Sequence, residues 1–180
     1  GHTNSHCVDS VKKQIHELVH CSNLFSIPQQ VKLAKRIVEK IGPGKMLFCN
    51  SGAEANEALI KFSRLVGNKT PENNRFKLLV AENGFHGRTM GALSATSSPK
   101  YRMGFEPLLE GFEFAPLNNI EAFKSKIDKQ TIGIMVESIQ GEGGIRVASD
   151  EFLLGIEELC KENGLLLLLD EVQAGIGRTG

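Results

Sequence analysis

This sequence lacks several features that mark specialised classes of protein. Basic and acidic residues balance, with 21 Lys plus Arg against 21 Asp plus Glu, so nothing favours binding to nucleic acid. No apolar run approaches the roughly 18 residues of a membrane-spanning helix, and no signal peptide opens the chain. The four cysteines show no CxxC spacing, which is typical of reduced thiols that fill space. We therefore expect a protein of the cytoplasm, or of an organelle matrix in a eukaryote, that binds neither nucleic acid nor membrane.

The two ends of the sequence lack the features of a complete chain. It begins at Gly1-His2 without a methionine, and it stops at Arg178-Thr179-Gly180 in the middle of a motif. We therefore expect an internal piece of a longer protein. Its 180 residues, of which 41% are hydrophobic, suffice for one domain or a large part of one. Residues 1–25 are expected to lead into this domain, and residues 26–180 to form the part of it that this sequence contains.

Short apolar runs alternate with helical patterns along most of the chain. Strands are expected over residues 45–49, 76–81, 112–115, 132–136 and 165–169. Helices are expected over 8–20, from Pro28 to Gly42, from Gly52 onward, through Ala92, over 120–127 and over 150–163. The helix from Pro28 should bury one apolar face, formed by Val31, Leu33, Ala34, Ile37 and Val38. This alternation predicts a mainly parallel α/β sheet flanked by helices.

The most informative stretch is the run of five leucines at 165–169, followed by Asp170. Gly164 is a helix stop, so we interpret the run as a strand that is buried on both faces. Open α/β sheets bind their ligands beyond the carboxyl ends of the strands. Asp170 is therefore expected to be half buried at a ligand site, where it needs a cation or several donors. Taken alone, it could also be a helix cap or a solvated residue.

Two further stretches carry signals of ligand binding. Ser51-x-x-Glu54 is a capping box, and the following Gly52-Ala53 pair leaves backbone N–H groups uncovered at the positive end of a helix. This arrangement favours a phosphate or another anion, although a plain capped helix explains it equally well. In residues 84–89, glycines flank Phe85 and precede Arg88, which suggests a loop held close to a ligand.

Two shorter patterns are interpreted as chance matches. His16 to His20 fits the zinc-protease pattern HExxH, but no third ligand at a recognisable spacing is evident. We expect a surface helix with two polar histidines near its end, and no bound metal. Gly175-x-Gly177-x-x-Gly180 fits the dinucleotide fingerprint GxGxxG, but four residues separate Asp170 from its first glycine. That fingerprint needs its turn directly after the strand, so we do not expect nicotinamide-dinucleotide binding.

Four stretches, in this order and spacing, resemble the class III pyridoxal-phosphate-dependent aminotransferases. They are NSGAEANEA at 50–58, GFHGRT at 84–89, ESIQGEGG at 137–144 and DEVQAGIGRTG at 170–180. The resemblance covers essentially the whole chain, and it implies part of the large, cofactor-binding domain of a fold type I transferase. In addition, Ser22-Asn23-Leu24-Phe25 is similar to the branch that acts on acetylornithine and succinylornithine.

The resemblance implies roles for residues of the cofactor site. Ser51, Gly52 and Ala53 would bind the phosphate of pyridoxal phosphate. Phe85 would stack on one face of the pyridine ring, and Val172 would pack on the other. Asp170, the catalytic residue of this chain, would pair with the ring nitrogen and keep it protonated. Gln173 would hydrogen-bond the phenolic oxygen, and Glu171 belongs to the same cofactor-binding stretch.

The resemblance also implies a substrate site. Arg88 would grip the α-carboxylate of the substrate with its planar guanidinium fork. Glu142 is similar to a residue that pairs, in this family, with an arginine of the small domain. Glu137 would support the site from outside the first layer of contacts.

The activity implied by the resemblance is the transfer of an amino group from N-acetylornithine to 2-oxoglutarate, a step of arginine biosynthesis, by a homodimer. Ornithine, succinylornithine and 4-aminobutyrate remain alternative donors. In this family the lysine that binds the cofactor covalently follows the stretch that matches Asp170, but no lysine of this chain follows Lys161. The chain could therefore also be a non-catalytic piece that binds cofactor or forms a dimer, and alone we expect it to be inactive.

Overall fold

The computed structural model describes residues 2–22, 24–69 and 74–179. Asn23, on which the assignment to a branch depends, lies outside these residues, as does Gly180. Contacts along the chain divide it into two compact units, Gly1–Leu47 and Phe48–Gly180. None of the helices in the described residues is long and apolar enough to cross a membrane.

The first unit contains two helices, α1 (Ser5–Glu17) and α2 (Pro28–Ile41). The expected end of α1 at His20 is wrong, because Leu18 already has an extended backbone. The predicted limits of α2 are confirmed, with Pro28 in its first turn and Gly42 at its end with φ of 115°.

Two other predictions for the first 50 residues are wrong. The apolar face of α2 is not buried, because two helices alone cannot cover it. Val31 and Leu33 are about half exposed, and no residue of α2 is fully buried. Residues 45–49 form no strand, since no neighbouring strand pairs with them within the described chain.

The second unit is a parallel sheet with helices on both faces. Its strands are β1 (Lys77–Ala81), β2 (Phe112–Ala115), β3 (Thr131–Val136) and β6 (Leu166–Leu169), together with a short antiparallel pair, β4 (Ile139–Gln140) and β5 (Arg146–Val147). The helices are α3 (Gly52–Gly67), α4 (Met90–Ala95), α5 (Pro99–Arg102), α6 (Ile120–Lys124) and α7 (Asp150–Asn163). The order β2-β1-β3-β6, parallel throughout, confirms the predicted fold class.

Alternate residues of the strands build a core on each side of the sheet. On one side, Leu79 and Ile134 pack with Phe123 of α6 and with the buried face of α7. On the other side, Leu78 and Met135 pack with Ile60 of α3. A strand covered on both faces has no polar side to present, which explains why β1 after Lys77 and β3 after Thr131 contain no polar side chain.

The leucine strand β6 is less buried than its sequence predicts. It pairs only with β3 among the described strands, so it lies at an edge of the sheet. Leu168 is buried, but Leu169 is 47% exposed. The expectation of burial on both faces is therefore wrong at the last residue of the strand.

The topology places the site beyond the carboxyl ends of the parallel strands. The chain passes from β1 to β2 on one side and then returns past β1 to β3 on the other. Crevices at such reversals of strand order, beyond the carboxyl ends of the strands, are the usual ligand sites of open α/β sheets. The segments that leave β1, β3 and β6 all begin there.

Candidate functional site

A cavity of about 310 Å³ lies beyond the carboxyl ends of β1, β3 and β6. It is bounded by the start of α3, the loop after β1, the first residue after β3 and the segment after β6. Its lining residues are Gly52, Ala53, Asn56, Phe85, His86, Gly87, Arg88, Glu137, Asp170, Val172 and Gln173. The volume is in the range of small-molecule sites. Seven residues that the sequence assigns to cofactor or substrate thus line one cavity.

Asp170 is buried at the end of β6 and is held by three donors. Its Oδ2 accepts hydrogen bonds from Asn56 Nδ2 at 2.8 Å and from His86 Nδ1 at 2.7 Å. Its Oδ1 accepts from the backbone N–H of Val172 at 3.0 Å. The expectation of a half-buried side chain is wrong, since only 5% of Asp170 is exposed, but the expected set of donors is present.

These donors decide the charge of Asp170. Burial opposes ionisation, but the hydrogen bond and the electrostatic effect of His86, together with the hydrogen bonds from Val172 and Asn56, outweigh it, so the pKa of Asp170 lies below its usual value. The cavity therefore contains a carboxylate that stays ionised at neutral pH.

The start of α3 presents uncovered backbone donors. Ser51 caps the helix, and its Oγ accepts the N–H of Glu54 at 3.2 Å. The Glu54 carboxylate reaches back to the N–H of Asn50 at 2.6 Å, which completes a capping arrangement one residue earlier than the standard box. The N–H groups of Gly52 and Ala53 have no acceptor within the described residues. They line the cavity at the positive end of the helix, which suits an anion.

Close packing explains both glycines at this point. A side chain on Gly52 would meet Val172 Cγ1 at 2.6 Å, and one on Gly87 would meet Ala53 Cβ at 2.8 Å. Gly87 also has φ of 132°, which a residue with a side chain rarely adopts. The loop after β1 and the segment after β6 thus both lie against the start of α3.

Phe85 and Val172 supply apolar surface to the cavity, and Arg88 supplies positive charge. Phe85 is half buried and meets the ring of Tyr101 edge-on, with centroids 5.3 Å apart. The guanidinium carbon of Arg88 lies 4.8 Å from the centroid of the Tyr101 ring. A cation over an aromatic face is held in position without losing its donors, so Arg88 remains able to bind a carboxylate.

The remaining predicted residues lie in different places. Gln173 lines the cavity, but Glu171 does not, and its carboxylate accepts a hydrogen bond from the hydroxyl of Ser138. Glu142 lines a smaller neighbouring cavity of about 120 Å³, where Tyr101 Oη donates to Glu142 Oε2 at 3.3 Å.

Asn56 and His86 are site residues that sequence reasoning missed. Asn56 is one helical turn after Gly52, and it also donates to the carbonyl of His86 at 2.7 Å. His86 lies inside the loop that was already singled out, between Phe85 and Gly87. Both residues contact Asp170 and form no motif of their own. The only signal in the sequence was that each lies near residues predicted to bind a ligand.

Glu137 is a second buried carboxyl group in the cavity. Its Oε2 accepts the backbone N–H of Phe85 at 3.3 Å, and only 4% of the residue is exposed. Burial and the neighbouring charge of Asp170 raise the pKa of Glu137 to about 8, against the smaller opposite effect of the Phe85 hydrogen bond.

The two chance patterns take no part in this cavity. α1 ends at Glu17, so His16 and His20 do not share a helix, and both are exposed. Residues 172–178 form turns rather than the strand-turn-helix of a dinucleotide site. No cluster of three or more metal-ligating side chains occurs in the described parts of the chain.

Comparison with known proteins is consistent with this site. The family model for class-III aminotransferases matches residues 1–180. An acetylornithine aminotransferase of Caldanaerobacter subterraneus subsp. tengcongensis is 49% identical over 180 residues, and one of Methanocaldococcus jannaschii is 46% identical. Both alignments cover 100% of this chain but only 46% and 45% of those proteins, so the chain spans about half their length.

Solved structures agree in fold. An ornithine aminotransferase from Toxoplasma gondii superimposes with a TM-score of 0.90 at 28% identity, over 97% of this chain and 42% of that one. A PLP-bound amine transaminase from an uncultivated Pseudomonas species, at 24% identity, has the same fold with a TM-score of 0.90, over 99% of this chain and 46% of that one. The match of the whole chain to the family model and the identity to curated relatives lead to one conclusion: the chain belongs to the class-III aminotransferases, a family of pyridoxal-phosphate-dependent enzymes.

Proposed function

We propose that the protein containing this chain is an aminotransferase that moves an amino group from N-acetylornithine to 2-oxoglutarate, a step of arginine biosynthesis. The observation that carries the reaction type is the buried, ionised Asp170 in a cavity that also contains the uncovered start of α3. The choice of N-acetylornithine is supported by the names of relatives that are 46–49% identical across the whole chain.

The residues of the cavity fit pyridoxal phosphate. The free N–H groups of Gly52 and Ala53 suit its phosphate, and the hydroxyl hydrogen of Ser51 is still available as a donor. A side chain on Gly52 would fill the space next to Val172. Phe85 and Val172 offer apolar surface to the two faces of an aromatic ring.

The cofactor, when bound, supplies an electron sink for the bonds of the substrate α-carbon. Asp170 would hold a proton on the ring nitrogen, because an ionised carboxylate favours a cation beside it. Asn56 and His86 would keep the Asp170 carboxylate in a fixed orientation. Gln173 would donate a hydrogen bond to the phenolic oxygen, and Glu171 would support this segment through its contact with Ser138.

Arg88 is the proposed anchor for the α-carboxylate of the substrate. It lines the cavity, and none of the ion pairs found among the described residues involves it. Glu142 lies beside it across Tyr101, and its proposed role is to pair with an arginine from the part of the protein beyond this chain. Ornithine, succinylornithine and 4-aminobutyrate remain candidate donors.

The proposed partners are a small amino donor, a 2-oxo acid and a second copy of the full-length protein. The even balance of charge argues against nucleic acid as a partner. The cytoplasm, or an organelle matrix in a eukaryote, is the proposed location, because the four cysteines are free and show no disulfide.

The decisive experiment measures glutamate formation by the purified full-length protein loaded with pyridoxal phosphate. Each of the four candidate donors is supplied with 2-oxoglutarate, and the values of kcat/KM are compared. We expect N-acetylornithine to give the highest value. A higher value for another donor would assign the protein to that substrate, and binding of cofactor without transfer from any donor would favour the non-catalytic alternative.

A further inference from the structure

The ends of β3 and β6 place two carboxyl groups side by side. Val136 and Leu169 are partners in the parallel register, and the next residues are Glu137 and Asp170. The N–H of Asp170 donates to the carbonyl of Val136 at 2.9 Å, so the two backbones stay paired up to this point. Both residues are at most 5% exposed, and both line the same cavity. The negative charge of Asp170 therefore opposes ionisation of the neighbouring Glu137.

The two carboxyl groups have unequal surroundings. Within the described residues, Asp170 accepts three hydrogen bonds, whereas Glu137 accepts one, from the N–H of Phe85. None of the ion pairs among the described residues involves Glu137. The charged or titratable side chains that share the cavity with it are His86 and Arg88, from the loop after β1, and Asp170, from the segment after β6. His86 is directed to Asp170 through Nδ1, and the guanidinium of Arg88 lies over Tyr101.

A third observation connects Glu137 to Asp170 through His86. A methyl group placed on Gly84 would lie 2.9 Å from Glu137 Oε2 and 2.9 Å from His86 Nε2, so both atoms face the same small space. His86 Nε2 is buried and has no hydrogen-bond partner within the described residues. Because Nδ1 is engaged by Asp170, Nε2 is the ring nitrogen that faces this space.

We propose that Glu137 is a positioning residue that carries a proton at neutral pH, so that Asp170 is the only anionic side chain among the described residues that line the cavity. This inference rests on the proposed function, since it specifies how the cofactor site keeps a single negative charge. The neutral acid holds the loop after β1 through the N–H of Phe85 and faces the free nitrogen of His86. Environments that separate two neighbouring carboxyl groups in this way recur in enzymes that need one acid and one carboxylate.

The pKa of Glu137, raised to about 8 by burial and by the charge of Asp170, agrees with this assignment. This upward shift of the pKa predicts how the stability of the protein depends on pH. A carboxyl group with a raised pKa in the folded state stabilises the protein below its unfolded pKa, and this contribution disappears as the pH rises through the folded pKa. The free energy of unfolding should therefore fall, relative to a Glu137→Gln variant, as the pH rises from about 4.5 to about 8.

The test is an infrared titration of the full-length protein without cofactor, labelled with ¹³C at the glutamate carboxyl carbon. We expect the carbonyl band of a neutral carboxylic acid at neutral pH, lost with a midpoint near 8. Glu137→Gln should abolish the band. Asp170→Asn removes the neighbouring charge and should move the midpoint down. The matched control Glu151→Gln, at an exposed position of α7, should leave the titration unchanged.

Absence of this band in the wild-type protein at neutral pH would overturn the proposal, whether or not any variant folds. A midpoint that stays in place in Asp170→Asn would show that the two groups are not coupled, and would also overturn it. Because the titration uses no substrate, its outcome is separate from that of the transfer assay. If the titration shows the neutral acid but the assay shows no amino transfer, the assignment of the proton to Glu137 stands and the proposed reaction is rejected.

Discussion

Asp170 is the residue on which the proposed chemistry depends most. In the full-length protein, Asp170→Asn keeps the shape of the side chain and removes the fixed charge beside the ring nitrogen. We expect the rate of each half-reaction to fall at least ~100-fold, which corresponds to a few kcal/mol of transition-state stabilisation. Rapid mixing with the amino donor, followed through the absorbance of the cofactor, measures this rate.

The control for this prediction is Asp9→Asn, an exposed residue of α1 whose side chain is 74% accessible. It should not change the rate. Near-normal turnover of Asp170→Asn would remove Asp170 from the reaction.

Arg88 gives a prediction that separates binding from turnover. Arg88→Lys keeps a positive charge but loses the planar fork that binds a carboxylate through two parallel hydrogen bonds. We expect KM for the amino donor to rise about tenfold, with a smaller change in kcat, because the contact is present in both the bound and the transition state. Steady-state kinetics at varied donor concentration test this, with Arg146→Lys in the exposed strand β5 as control. An unchanged KM would mean that another group holds the carboxylate.

At the scale of residues, sequence reasoning identified seven residues that line the cavity and missed Asn56 and His86, which hold Asp170. Asp170, Phe85 and Arg88 stand next to glycines or at a strand end, where pattern alone suggests a ligand. Although His86 also stands next to a glycine, the role of Asn56 and His86 depends on their contact with Asp170, which lies 114 and 84 residues further along the chain. The neutral state of Glu137 was equally out of reach, since it depends on burial and on the distance to another charge.

At the scale of elements, the end of α3 provides a test of packing. Gly67 is buried in the last turn, and a side chain there would overlap the carbonyl oxygen of Arg75. Arg75 is itself held, because its guanidinium donates to the carbonyls of Thr131 and Gly164. The backbone cannot move aside easily, so Gly67→Ala should destabilise the protein by roughly 1–3 kcal/mol.

Chemical denaturation of the full-length protein measures this loss as a lower midpoint. Gly44→Ala is the matched control, because nothing lies within 4 Å of a side chain at that position. We expect its midpoint to stay within experimental error of the wild type. Equal midpoints for the two variants would contradict the packing at the end of α3.

The elements that sequence predicted well are those whose signals are local. α7 has the predicted limits, with Ser149 as cap and Gly164 in the left-handed conformation at its end. The strand expected at 45–49 and the burial of Leu169 failed, because both depend on a neighbouring strand that local sequence does not specify. The short pair β4–β5 and the helix α5 were missed, since two-residue strands and single-turn helices leave almost no periodic pattern.

At the scale of the whole molecule, the family resemblance rather than periodicity predicted the cofactor and the reaction class. The alternation of strands and helices predicts a parallel sheet, and such a sheet binds its ligand beyond the carboxyl ends of the strands. Neither gives the identity of that ligand. That identity is implied by the resemblance of four motifs across residues 50–180 to the family, and the match of the chain to the family model agrees with it.

The last prediction concerns a polypeptide of only these 180 residues. No lysine is among the described residues that line the cavity, so no amine is in place to attach the cofactor covalently. Several large apolar side chains are exposed, including Leu24 at 89% and Ile176 at 80%, and β6 presents an unpaired edge among the described strands. We expect this polypeptide to be poorly soluble and to bind pyridoxal phosphate weakly and reversibly. Borohydride reduction followed by mass spectrometry should label the full-length protein at one lysine and leave the 180-residue polypeptide unlabelled. Stoichiometric labelling of one of its own lysines, together with transfer from acetylornithine, would instead show that these residues suffice for catalysis.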